Sequence, residues 1–202
     1  MSRETFASAA SAFAKLVHDI PASKWDGPGL GDWGLRSLVG HTSRSLITVS
    51  TYLRTTAERE DLAGPVEYYV YARDFASSAG AEAVTERGRQ AGRELGSDPA
   101  ATVDHLVAKA LDDLDAVNDP LITVIGGVGI RLSSYLPTRT FEMAVHGLDI
   151  ARATGVDFAM PEEVLVEAAV LATRIGVALG QGETVLAALT GRTPLPTAFS
   201  VV

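Results

Sequence analysis

Apolar residues recur at helical spacing over most of the chain. Between residues 3 and 20, Phe6, Ala9, Ala10, Phe13, Leu16, Val17 and Ile20 fall on one face and the pattern stops at Pro21, which predicts an amphipathic helix. The next stretch, PASKWDGPGLGDWG, is dense in proline and glycine and reads as a loop. A second helix is predicted from about Leu35 to Arg59, turning Leu38, Val39, Ile47, Val49 and Leu53 toward a core. Residues 61–80 hold Gly64, Pro65, three tyrosines (Tyr68, Tyr69 and Tyr71) and the run SSAG, which predict an irregular crossover with a single helical turn.

Residues 81–95 have helical spacing but are polar. SDPA then supplies a start signal, with Ser97 or Asp98 as N-cap and Pro99 in the first turn. That helix continues to near Asn118 and Pro120, and IGGVGI follows as a glycine-rich connector. The fourth main helix runs from about Leu132 to Ala153, with Gly155 placed to end it. Another spans roughly Pro161 to Leu179, before a short helix and an extended tail. Strand alternation is almost absent. The expected class is all-α: residues 1–155 form a four-helix bundle, and residues 156–202 form a C-terminal helical extension and tail packed on it.

Composition narrows the function classes. The chain has 202 residues, 47% of them hydrophobic, enough for a sizeable core. No window approaches the ~18 uninterrupted apolar residues of a membrane span. Glu4 sits early in an N-terminus without a cleavable apolar core, so no signal peptide and a cytoplasmic location are expected. The net charge of −8, with no basic cluster, argues against a phosphate-neutralising nucleic-acid surface. There is no cysteine, which removes disulfides, thiolate ligands and a protein thiol nucleophile together.

One stretch stands out against this background. PTRTFEMAVHGLD carries Arg139, Glu142, His146 and Asp149 along one side of the fourth helix. Glu142 and His146, at i and i+4, lie one turn apart on one face and suit a single metal ion. His41, within the core-type run LRSLVGHTSRSL, is the candidate third ligand from another helix. An N, N, O set suits Zn²⁺, with Fe²⁺, Ni²⁺ and Mn²⁺ less discriminated, and leaves a position open for chemistry. Spacing alone favours a surface glutamate beside a half-buried histidine over a metal site. His18 fits a helix C-terminus, and His105 an amphipathic helix beside Asp104; both read as structural. Arg139 and Asp149 are the candidate catalytic residues: Asp149 to orient a ligand ring, Arg139 to pair with Glu142 or near Asp149, or to bind a substrate carboxylate. Trp33 is expected to pack at the start of the second helix, the three tyrosines to serve packing or line a pocket mouth, and Arg174 to offer a further anion contact.

Two segments carry a family likeness. GDWGLRSLVGHT resembles the element W-[ST]-V-R-[DE]-L-V-x-H, and YLPTRTFEMAVHGLDIARATG resembles R-x-x-E-x-x-V-H-x-x-D-[IL], both of mycothiol-dependent maleylpyruvate isomerase family proteins. That family belongs to the wider DinB-like four-helix metalloproteins, and the ending ALTGRTPLPTAFSVV is similar to their tails. The resemblance implies a bundle holding a divalent metal, usually zinc, on His41, Glu142 and His146. It also implies mycothiol, a sugar-linked cysteine thiol, as cosubstrate, and so supplies the thiol this chain lacks. The expected partners are that thiol and a small electrophile, with a homodimer as candidate assembly. Gly34 and Ser37 depart from the usual Ser/Thr and Asp/Glu, which weakens the expected cap of the second helix. The isomerase proper adds a distinct C-terminal domain to its active site, whereas the residues after Gly155 here are few. The resemblance therefore carries the metal and the thiol rather than the maleylpyruvate substrate.

Overall fold

In a computed structural model, which describes residues 2–79 and 81–202, the described residues form eight α-helices and two small strand pairs. Four helices make the bundle: α1 (Ser2–Asp19), α2 (Leu35–Tyr52), α5 (Pro99–Asp115) and α6 (Leu132–Thr154). Each packs against two others, α1 on α5 and α6, α2 on α5 and α6. Phe6, Phe13 and Leu16 from α1, Leu38 and Leu46 from α2, Val103 from α5 and Tyr135, Leu136 and Ile150 from α6 are almost wholly buried among them.

Local signals set the ends of these helices. Asp98 accepts a hydrogen bond from the Ala101 N–H at 3.0 Å and Pro99 occupies the first turn of α5. Gly155 closes α6 at φ 74°, a left-handed position that glycine adopts without a Cβ clash. Gly34 caps α2 with no side-chain hydrogen bond, as its departure from the family element implies.

Two expectations are corrected. The irregular crossover expected over residues 61–80 is instead mostly helix: α3 (Pro65–Ala79) is a full helix, and residue 80 lies outside the described residues. Proline begins it, and Val66, Tyr68 and Tyr69 bury against the core, so tertiary burial overrides the weak helix preference of valine and tyrosine. The second helix ends at Tyr52 rather than Arg59. Beyond it the backbone binds a hairpin instead: the Ala57 N–H donates to the Leu121 carbonyl, and Asp61 accepts from the Gly129 N–H at 2.8 Å. That hairpin, β3 (Leu121–Thr123) and β4 (Gly129–Arg131), is antiparallel and replaces the expected connector. The other strand pair, β1 (Pro28–Leu30) and β2 (Trp33–Gly34), precedes α2.

The polar segment is α4 (Ala81–Glu94), laid across α2. Their approach is close: a Cβ on Gly40 would stand 2.2 Å from the Gly92 N, and one on Gly92 2.8 Å from the Arg36 carbonyl. α7 (Glu162–Ala178) packs on α6, α1 and α3, and α8 (Gly182–Leu189) packs on α7. Among the described residues no helix is long and apolar enough to cross a membrane.

Candidate metal centre

α2 contributes His41 and α6 contributes Glu142 and His146, and their ligand atoms all lie within 4.8 Å of one another. His41 Nε2 is 3.8 Å and His146 Nε2 3.5 Å from Glu142 Oε2. Zinc bonds of ~2.0–2.2 Å in a tetrahedron separate ligand atoms by ~3.4 Å. These two separations therefore fit one ion with small adjustment. The imidazoles meet edge to face, with ring centroids 5.0 Å apart at 84°.

Each of the three side chains is held differently. His146 Nδ1 lies 3.2 Å from Asp149 Oδ2, one turn along α6, which leaves Nε2 directed at the site. Arg152 lies 3.3 Å from the other Asp149 oxygen. His41 has no such partner: its Nδ1 is buried without a hydrogen bond among the described residues. Its ring instead lies against Trp33, centroids 4.5 Å apart. Trp33 is itself fixed by donating to the Thr85 carbonyl at 3.1 Å, so β2 and α4 position the His41 ring on α2. Gly40, next to His41, permits this crossing.

Glu142 Oε1 accepts a hydrogen bond from Tyr69 Oη at 2.7 Å, and the same hydroxyl lies 3.1 Å from the Thr138 carbonyl. Tyr69 was expected only to pack or line a mouth. Its contact with Glu142 depends on α3 being a helix, which the residue pattern did not reveal.

The environments divide the protonation states. Burial lowers the His41 pKa, against the raising pull of Glu142, which favours a neutral imidazole able to ligate. Burial works in the same direction on His146, but hydrogen bonding to Asp149 and Glu142 carries it up to about 9. Desolvation opposes the Glu142 charge, yet the two imidazoles hold it well below the usual carboxylate range. Burial pushes the Tyr69 hydroxyl well up, reinforced by the Glu142 charge, so it remains a donor.

Arg139 does not pair with Glu142 or Asp149 within ion-pair distance. Its guanidinium sits between two rings, 4.9 Å from the centroid of Tyr135 and 5.3 Å from that of Tyr68. It donates to Tyr68 Oη at 3.2 Å and to Thr138 Oγ1 at 3.0 Å. Only 9% of Arg139 is exposed, and this aromatic bracket supplies the attraction an ion pair was expected to give. Arg174 lies on α7 in a separate groove with Glu163 and Glu167, away from the three ligands. His18 Nε2 lies 2.8 Å from Asp104 Oδ2 and His105 is exposed, in keeping with structural roles.

Beside His41 and Glu142 is a cavity of about 170 Å³. His41, Glu142 and Arg139 line it, with Tyr68 and Tyr69 from α3, Arg44 and Tyr52 from α2, and Arg87 from α4. Arg44 and Arg87 were not singled out in the residue pattern. Arg44 carries a signal once its helix is placed, since it follows His41 by three positions and shares its face.

The model of one protein family, described as the mycothiol maleylpyruvate isomerase N-terminal domain, matches residues 6–151. No curated protein and no solved structure matches the chain significantly.

Proposed function

Because the chain belongs to the mycothiol maleylpyruvate isomerase N-terminal domain family, we propose that it is a metal-dependent enzyme using mycothiol on a small electrophile. The observation that carries this reading is the convergence of His41, Glu142 and His146 ligand atoms at the edge of a cavity. His41, Glu142 and His146 would hold a divalent ion, zinc by the donor set, which would lower the pKa of a thiol bound to it and so supply the nucleophile that a chain without cysteine lacks.

The protein's own residues do the rest. Asp149 positions the His146 ring, and Tyr69 donates to the Glu142 oxygen turned away from the histidines. Arg139 keeps a fixed positive charge beside the cavity. The thiol loses its proton and its sulfur forms a bond to the electrophilic carbon. On an activated alkene the π pair moves to the neighbouring carbon, which takes a proton. Reversal after rotation about the former double bond gives isomerisation. With a leaving group, the leaving group departs with its electron pair and the thiol is transferred.

A second reading is a metal-binding bundle without turnover, in a binding or regulatory role. The cavity volume favours it, because ~300–1,000 Å³ is usual for small-molecule sites. Both readings require the metal. Untagged protein is expected to hold about one zinc per chain, and His41→Ala or Glu142→Ala to lose most of it, as metal analysis of the purified variants will register. Metal content far below one, unchanged in His41→Ala, would remove both readings. Full zinc loading without thiol consumption across a broad electrophile panel would leave the second.

A further inference from the structure

Helix α7 carries an apolar stripe that the fold of one chain leaves uncovered. Its inner face, with Val164, Ala168, Leu171 and Ile175, is buried. On its outer face Val166, Val170 and Val177 are 56%, 53% and 59% exposed. With Thr173 they fall at i, i+4, i+7 and i+11, the spacing of a helix-packing seam rather than of a solvated surface. Valine is also a weak helix former, so helix propensity does not account for three of them in water. Of the ten large apolar side chains exposed among the described residues, only Leu30 lies elsewhere. Four are on α7, Leu186 and Leu189 on α8, Leu195 and Val202 in the tail, and Leu148 on the adjoining α6. Between α6, α7, α8 and the tail runs a groove of about 660 Å³, walled by Phe141, Leu148, Leu165, Ala172, Phe199 and Val201. The groove that holds Arg174, about 650 Å³, lies on the other flank of α7. α7 is therefore a ridge between two grooves.

We infer that this face joins two copies of the chain about a two-fold axis, with the α7 ridge of each seated in the apolar groove of the other. A ridge beside a groove is self-complementary under such an axis. The charges agree with it. Each chain carries a net −8, so two copies repel through most of their faces. Between Val164 and Leu179, however, the only charged residues are Glu167 and Arg174, of opposite sign and two turns apart on one edge of α7. Two α7 helices running antiparallel across the axis bring each Arg174 toward the second copy's Glu167. The area also suffices. The nine exposed fractions amount to about five whole side chains, roughly 300–600 Å² at ~60–120 Å² for each valine or leucine side chain. A standard interface takes ~800 Å² from each partner, of which ~65% is apolar in homodimers. No residue lining the cavity beside His41 lines either groove, so pairing does not depend on zinc or thiol.

Sedimentation equilibrium of the full chain, with and without zinc and in low and high salt, tests this. A mass approaching twice the 21.2 kDa of one chain is expected, with tighter pairing at high salt because screening relieves the net repulsion. Val170→Glu and Val177→Glu are each expected to raise the dimer dissociation constant by about 100-fold or more, since a carboxylate on a two-fold seam is desolvated against its own copy. Both positions are exposed in the single chain, so the far-UV circular dichroism of these variants should stay at the wild-type value. Arg174→Glu should weaken pairing by about 10-fold. Leu30→Glu, which alters an exposed leucine on β1, should leave the dimer intact. The mass of one chain at every concentration would overturn the inference, and binding of an anilinonaphthalene dye to that single chain would make a small apolar molecule the occupant of the groove. A dimer that survives both valine variants, or that Leu30→Glu breaks as readily, would overturn it too.

Discussion

Glu142 divides its two oxygens between two tasks: one faces His41 and His146, the other accepts from Tyr69. The Tyr69 hydroxyl fixes the carboxylate's rotation about its last bond, in the way outer partners orient metal ligands. Removing that hydroxyl alone is a clean perturbation, because the Tyr69 ring stays anchored edge to face against Phe141 at 5.2 Å. Tyr69→Phe is therefore expected to keep the fold and weaken zinc binding by roughly 10–100-fold, the range typical of such partners. Competition against a chelator of known affinity reads this directly, and an unchanged affinity would reduce Tyr69 to a packing residue. Asp149 was recognisable from its position one turn beyond His146. Tyr69 was not, because nothing in residues 61–80 states which helix its hydroxyl will meet.

Helix order and most boundaries follow from periodicity, caps and prolines, as α1, α5 and α6 demonstrate. What periodicity does not encode is how closely two helices approach. α2 and α4 touch through Gly40 and Gly92, and a methyl group at Gly40 would stand 2.2 Å from the Gly92 N. In an exposed helix Gly→Ala is worth ~1 kcal/mol in favour of alanine. Here the clash is with backbone, which cannot swing aside, and overpacking of this kind costs ~1–3 kcal/mol. The clash wins, so Gly40→Ala is expected to lower Tm by several degrees, at about 2–4 °C per kcal/mol for a chain this long. Because α4 also carries the Thr85 carbonyl that anchors Trp33 against His41, the same variant should loosen zinc binding. Calorimetry with and without zinc checks both, and a Tm equal to or above wild type would refute the close crossing.

At the scale of the whole molecule, the candidate metal centre couples stability to pH. In the metal-free protein the His146 pKa is up at about 9, against ~6.5 for an unfolded histidine. A raised pKa stabilises the fold fully below pH ~6.5, and that contribution, on the order of 3 kcal/mol, is lost as pH rises through 9. Zinc requires His146 deprotonated, so its own stabilisation moves the opposite way. Thermal melts are expected to show the chelated protein losing Tm from pH 6.5 to 9 and the gap to the zinc-loaded protein widening. Parallel curves would contradict this account. From its sequence alone, the chain determined an all-α bundle, the helix carrying Glu142 and His146 on one face, and His41 as the candidate partner from α2. Those features depend on interactions within a few residues or on burial at a fixed period. The tertiary structure decided the remainder: the candidate ligand atoms gathered within 4.8 Å, the aromatic bracket around Arg139, and Tyr69 on Glu142. Each of these joins side chains from helices far apart in sequence, where packing sets distance and spacing carries no record of it.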